Sequence, residues 1–217
     1  MPRLLELFCG TGSVGKVFRQ NGWEVFSVDL DSRRDADLHV DVAKFDYKSF
    51  LPNHFQCVWA SPPCTHYSCA RSRAKTPRDL EGSDELVRCT LAIIAYFSPC
   101  AWWMENPHTG LLKSRDVVSN LPYQIVDYCM YGTSYRKRTA LWGNVPANLK
   151  LCNKACIGWA EDTCTHKKTA QRGPRRIKGA MMTVADRFTI DELYALPYLL
   201  VEEIERATIL WLNERQN

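Results

Sequence analysis

The chain has 217 residues, 46% of them apolar and 24% charged, with a net charge of +4. That size suits one domain, or one domain with a small insertion, and the balance is that of an ordinary soluble globular protein with a full core. No apolar run approaches the ~20 residues of a membrane span, which excludes a helical membrane protein. A strand that begins at Leu4 leaves no room for a signal peptide, so an intracellular setting is expected: cytoplasmic if bacterial or phage-encoded, nuclear if eukaryotic. The ten cysteines form no evenly spaced framework. Cys57, Cys89, Cys100 and Cys129 lie in apolar stretches, where thiols act as small hydrophobes.

In chain order, Leu4–Phe8 reads as a short apolar strand, and Val14–Gln20 as a helix stopped by Asn21-Gly22. Glu24–Val28 returns as a strand ending at Asp29. His39–Val42 is a brief strand or turn, and Cys57–Ala60 is the strand before Pro62-Pro63. Asp84–Phe97 carries a helical stripe through Leu86, Cys89, Thr90, Ile93, Ile94 and Phe97. Ala101–Met104 is the next strand, with Gln124–Cys129 and Thr139–Trp142 as a closing pair. A last amphipathic helix covers roughly Pro197–Leu212.

Strands alternating with helices imply a mostly parallel, Rossmann-like α/β sheet with helices on both faces and ligands at the strand carboxyl ends. The expected division is a catalytic, cofactor-binding domain over 1–147, a small irregular insertion over 148–180, and a C-terminal helical segment over 181–217. The insertion is basic. It has eight Lys/Arg (Lys150, Lys154, Lys167, Lys168, Arg172, Arg175, Arg176, Lys178) against Glu161 and Asp162, a net +6 that exceeds the charge of the whole chain.

Several motifs carry chemistry. Gly10-Thr-Gly12-Ser-Val-Gly15 follows a strand and opens a helix, with Asp29 closing the next strand. Such a turn suits a dinucleotide, a nucleoside-bearing methyl donor, or merely tight packing. Pro62-Pro63-Cys64 presents a thiol from a rigid turn, and Glu105-Asn106 brings an acid from the next strand. A thiolate adding to carbon 6 of a cytosine, with an acid at N3, makes carbon 5 able to accept a methyl group. A buried structural thiol is the plainer alternative for Cys64. Arg71, Arg73, Lys75 and Arg78 follow closely and suit phosphate contact, or simply a solvated basic loop. Cys152-x3-Cys156-x7-Cys164-x-His166 offers four soft ligands, enough for a structural zinc in a segment too small for its own core; surface thiols are the alternative.

Taken together the motifs resemble the C5-cytosine methyltransferase family, which includes DNA enzymes and a tRNA-modifying branch. Glu6-Leu7-Phe8-Cys9-Gly10-Thr11-Gly12 resembles its cofactor motif. Val28-Asp29-Leu30-Asp31 resembles the ribose-binding acid, and Asp41 the residue facing the adenine amine. Ser61-Pro62-Pro63-Cys64-Thr65 is similar to the nucleophile loop, and Glu105-Asn106-Pro107 to the acid motif. Tyr131 to Arg138 is similar to the paired-arginine motif, which is one residue shorter than usual here and lacks its glutamine. Ala195 to Leu200 resembles the start of the helix that completes the cofactor pocket. The match spans most of residues 3–144 plus the last helix, with the motifs in family order.

The resemblance implies an enzyme using S-adenosylmethionine, bound by Phe8, Gly10, Gly12, Asp29, Asp41 and Pro62. It implies Cys64 as nucleophile, Glu105 as the N3 partner, Arg138 and Arg136 supporting the base, and Asn106 bracing the nucleophile loop. Double-stranded DNA with the target base flipped is the expected partner, contacted by Arg71, Arg73, Lys75, Lys167, Lys168, Arg175 and Arg176. RNA as acceptor, an idle binding module of the same fold, and a nicotinamide enzyme are the competing readings. The short insertion, in the place of the family's recognition region, implies a short recognition sequence or loose specificity.

Overall fold

Leu4, Leu5 and Leu7 are fully buried, which places β1 (Arg3–Leu7) inside the sheet rather than at its edge. In the computed structural model, which describes residues 1–69, 71, 74–97, 101–133, 135–156, 168–169, 173–174 and 188–215, β1 pairs in parallel with β2 (Glu24–Asp29) and with β4 (Cys57–Ala60). β3 (Leu38–His39) extends β2, and β5 (Ala101–Pro107) extends β4, both in parallel. β6 (Tyr123–Asp127) and β7 (Arg138–Gly143) close the sheet, with β7 antiparallel to both β5 and β6. The order is β3-β2-β1-β4-β5-β7-β6, so the chain reverses direction across the sheet between β1 and β4, where a crevice opens at the strand carboxyl ends.

Side chains alternate across the sheet and form two cores. Leu4, Cys57, Trp59, Trp103 and Leu141 face one, and Leu5, Leu7, Val58, Ala60, Met104 and Trp142 face the other. The first is covered by α1 (Ser13–Gln20), through Val14, Val17 and Phe18, and by the last helix. The second is covered by α2 (Leu80–Tyr96), through Val87, Ile93 and Ile94. A short helix α3 (Ile190–Tyr194) precedes the last helix, α4 (Tyr198–Glu214). Leu200, Val201, Ile204 and Trp211 of α4 join the first core, and Trp103 Nε1 donates to Thr208 Oγ1 at 3.0 Å.

The structure lengthens or adds several elements relative to the sequence reading. β5 runs on to Pro107, so Glu105 and Asn106 lie within a strand instead of just after one. The cause is β7, which continues past the end of β4 and pairs Leu141 and Ala140 with Glu105 and Asn106. α2 begins at Leu80, where the Asp79 carboxylate accepts from the Gly82 backbone N–H at 2.8 Å. α3 was not expected, although Thr189 and Glu192 form a capping box whose Thr-x-x-Glu pattern is visible in the sequence. Within the basic stretch, β8 (Lys168–Thr169) pairs antiparallel with β9 (Gly173–Pro174). Among the described residues no helix is long and apolar enough to cross a membrane.

Candidate active site

The loop after β1 is shaped by left-handed backbone. Phe8 (φ 59°), Gly10 (φ 54°) and Gly12 (φ 66°) all lie in that region, and for a bulky residue such as Phe8 this conformation is strained. Asp29 at the end of β2 holds the loop, with one carboxylate oxygen accepting from Gly10 N and the other from Asp31 N, both at 2.8 Å. Asp41 caps the short turn after β3 by accepting from Ala43 N at 3.0 Å. Gly15 lies in α1 so close to β1 that a Cβ there would collide with the Glu6 carboxylate.

Glu6 is buried and accepts a hydrogen bond from Gly15 N at 3.1 Å. Burial pushes its carboxyl up to about 7, the Gly15 bond opposing. A raised carboxyl binds its proton more tightly folded than unfolded, so stability falls as pH rises from about 4.5, its ordinary value, to about 7. The whole effect is on the order of 3 kcal/mol. In Glu6→Gln the amide oxygen keeps the bond to Gly15, and that slope should disappear from urea melts taken between pH 4.5 and 7. An unchanged slope would refute the assignment.

The turn after β4 is held from several sides. Trp59 Nε1 donates to Ser61 Oγ (2.9 Å), and Asn106 Nδ2 donates to the Pro62 carbonyl (2.9 Å), while Asn106 Oδ1 is buried with no partner among the described residues. Further on, Leu111 N donates to Tyr67 O (3.0 Å) and Cys69 Sγ to Thr109 O (2.8 Å). Tyr67 is fully buried and donates to Asp84 Oδ1 (2.8 Å), which Arg115 also grips. The Cys64 loop and the segment following Glu105 are therefore tied together by hydrogen bonds from both sides.

One cavity of about 350 Å³ brings both halves together. Phe8, Gly10, Asp29, Leu30, Asp41 and Pro62 line it, and so do Cys64, Glu105 and Lys137. Gly12 lies under it as the N-cap of α1 and does not line it. Glu105 is buried; Lys137 Nζ stands 3.6 Å from its Oε1, and the Tyr128 hydroxyl donates to the same oxygen at 3.4 Å. Lys137 is fixed by the Leu193 carbonyl (3.1 Å) and by the face of Tyr128, 4.8 Å from the ring centre.

Cys64 is half-buried. Burial, and then the Glu105 charge, pushes its thiol above the ordinary value, and the Lys137 ammonium pulls it down. The midpoint of Cys64 alkylation by iodoacetamide, followed by peptide mass mapping, should therefore fall in Glu105→Gln and rise in Lys137→Met. Midpoints that stay put in both variants would show that these charges do not reach the sulfur.

Lys137 was not singled out in the sequence. Arg138 forms a two-pronged ion pair with buried Asp127 (Nε–Oδ1 2.9 Å, Nη2–Oδ2 2.6 Å), and Arg136 is near enough to help lower the Asp127 carboxyl. Neither arginine lines the cavity. Side chains alternate along an extended chain, so residues 136 and 138 share one face and 137 takes the other. The missing residue in the arginine motif was the available signal.

The basic positions are placed unevenly. The Arg71 guanidinium is tied within its own loop, to Thr76 Oγ1 (2.5 Å) and the Pro77 carbonyl (3.1 Å), and Arg78 donates to His66 O at 2.5 Å. Lys75 is exposed. Arg73, Lys167, Arg175 and Arg176 lie outside the described residues, as do Cys164 and His166, and of Lys168 only the backbone is described. Cys152 and Cys156 are buried, and their near neighbour is Cys129, the thiol read from sequence as a small hydrophobe.

No protein-family model matches the chain. It is 39% identical over 169 residues to a Frog virus 3 (isolate Goorha) protein named "Probable DNA (cytosine-5)-methyltransferase", an alignment covering 72% of this chain and 75% of the viral one. Among solved structures, a methyltransferase of Entamoeba histolytica shares the fold at a TM-score of 0.51 and 13% identity, covering 70% of this chain. A Spodoptera frugiperda DNMT2 mutant is similar at 0.47 and 15%, covering 69%. The chain spans 55% and 53% of the lengths of those two, a little over half of each.

Proposed function

We propose, from the premise that this chain belongs to the DNA (cytosine-5)-methyltransferase family, that it methylates carbon 5 of cytosine in DNA through a covalent Cys64 adduct. The observation that carries the reading is the single cavity in which Cys64, Glu105 and Lys137 meet the Gly10 loop, Asp29 and Asp41.

S-adenosylmethionine fits the second half of that cavity. Left-handed Phe8 and Gly10 let the backbone come close, and Phe8, Leu30, Val42 and Leu196 offer apolar faces beside the carboxylates of Asp29, Asp31 and Asp41. Asp29 and Asp41 would hold its ribose and base, and when bound it supplies an electrophilic methyl group for carbon 5.

The chain's own residues prepare the acceptor. The target nucleotide leaves its stack so that carbon 6 can reach the sulfur. Cys64, as thiolate, bonds to carbon 6 while Glu105 passes its carboxyl proton to N3, which places electron density on carbon 5 and leaves Glu105 as a carboxylate. Lys137 balances the charge that two anionic groups bring to one buried site. Asn106 holds the Pro62 carbonyl and so the aim of the turn. After methyl transfer, a water molecule takes the carbon 5 proton, the Cys64 thiolate is expelled, and N3 returns its proton to the Glu105 carboxylate, which restores the ring. Arg138, locked to Asp127, supports this wall as a positioning residue with Arg136. The basic 148–180 stretch and Lys75 supply phosphate contacts.

A 5-fluorocytosine trap tests the reading, because fluorine at carbon 5 cannot leave as a proton. With S-adenosylmethionine present, a duplex DNA carrying that base should give a denaturant-stable adduct mapping to Cys64. An adduct with RNA and none with DNA would transfer the activity to RNA. No adduct with either would end the proposal.

A further inference from the structure

Cys129 lies in the turn after β6, Cys152 and Cys156 in the segment that leaves β7, and all three are buried with their sulfurs within 4.8 Å of one another. The three thiols form a cluster of their own, with Met130 as the partly buried apolar side chain packed against it. The backbone between the second and third bends sharply to bring them together. Lys154 takes a left-handed conformation (φ 64°), which is unfavourable for a lysine, and its N–H donates to the Cys152 carbonyl. A tight turn between two cysteines, with a third arriving from a separate element, is how proteins assemble thiolate metal sites. Sulfurs bound at about 2.3 Å around a tetrahedral zinc stand roughly 3.8 Å apart, the same scale as this trio.

We propose that Cys129, Cys152 and Cys156 form a structural zinc site that staples the start of the basic segment to the sheet. The three thiolates fill three tetrahedral positions and leave the fourth to a donor beyond the trio. Neither Cys129 nor its pairing with the later cysteines is visible in the Cys-x3-Cys spacing, because the contact depends on how β6 and β7 pair. The site adjoins the Arg138 anchor: Cys152 N donates to Asp127 Oδ2 at 2.9 Å, the oxygen that Arg138 also holds. Metal release should therefore loosen the 150–156 segment and the Asp127–Arg138 wall together. A small segment without a core of its own gains its order from the ion.

The test is metal content of the full chain, read independently of methyl transfer. After exhaustive dialysis, elemental analysis should find one zinc per chain in the wild type and less than a tenth of that in C129S, C152S and C156S. C89S, on α2, should retain it. Wild-type protein without zinc, or C129S with a full complement, would overturn the assignment. Should the serine variants prove insoluble, cobalt-loaded wild type carries the test. A thiolate-to-cobalt charge-transfer band that is lost as Cys129 becomes alkylated supports the site. Absence of the band, or a band indifferent to Cys129 modification, overturns it.

Discussion

Replacing Cys64 by alanine is expected to lower methyl incorporation into cytosine by ~10⁴-fold or more, because covalent activation of the ring has no substitute in the site. Two other thiols are close in sequence or space, and neither can take over. Cys9 lines the same cavity, but burial and the charges of Glu6 and Asp29 push its thiol up to about 12. Cys69 is turned away, donating to the Thr109 carbonyl. S-adenosylmethionine affinity should change only a few-fold, because the Gly10 loop and Asp29 that form its side of the cavity do not depend on the sulfur. Tritiated methyl transfer and calorimetry on the same preparation separate the two quantities. Retention of a tenth of the wild-type rate would refute the nucleophile assignment.

Glu105→Gln should slow transfer by roughly 10²- to 10⁴-fold, the usual range for losing a positioned acid. The same substitution removes the negative charge that helps push Cys64 upward, so it should make the thiol easier to ionise. The two effects have opposite signs. A variant whose cysteine alkylates faster and whose methyl transfer is slower could not be explained by a damaged nucleophile. Single-turnover rates on duplex DNA, taken beside the alkylation profile, give both values. Glutamine fills nearly the same volume and can still meet the Tyr128 hydroxyl, so a general loss of fold is not expected. A single-turnover rate within tenfold of wild type would show that Glu105 acts only through the electrostatics of the site.

Most of the β-strand positions were legible because they rest on local chemistry. Short apolar runs ending in Asp29, Ser61-Pro62-Pro63 or Glu105-Asn106 can be read along the chain, and the strands around β1 sit where that pattern puts them. The Gly10 turn was legible for a similar reason: left-handed backbone is carried by glycine, and the acid that braces it closes the next strand. Phe8 was less so, since its own left-handed conformation contradicts its side-chain preference and is imposed by the loop around it.

Residue identity thus determined the order of the strands along the chain, the nature of the thiol, the acid and the glycine turn, and the excess of positive charge after residue 148. Tertiary structure decided what a linear pattern leaves open, namely the phase of each strand and the company each side chain keeps. β7 lengthened β5 and put Glu105 inside the sheet. The phase of the chain entering β7 turned Lys137 toward Glu105 and Arg138 toward Asp127, a one-residue choice settled by pairing rather than by propensity. The same pairing carried Cys129 to Cys152 and Cys156. Contacts between distant segments depend on how the sheet closes, and only the folded chain specifies that closure.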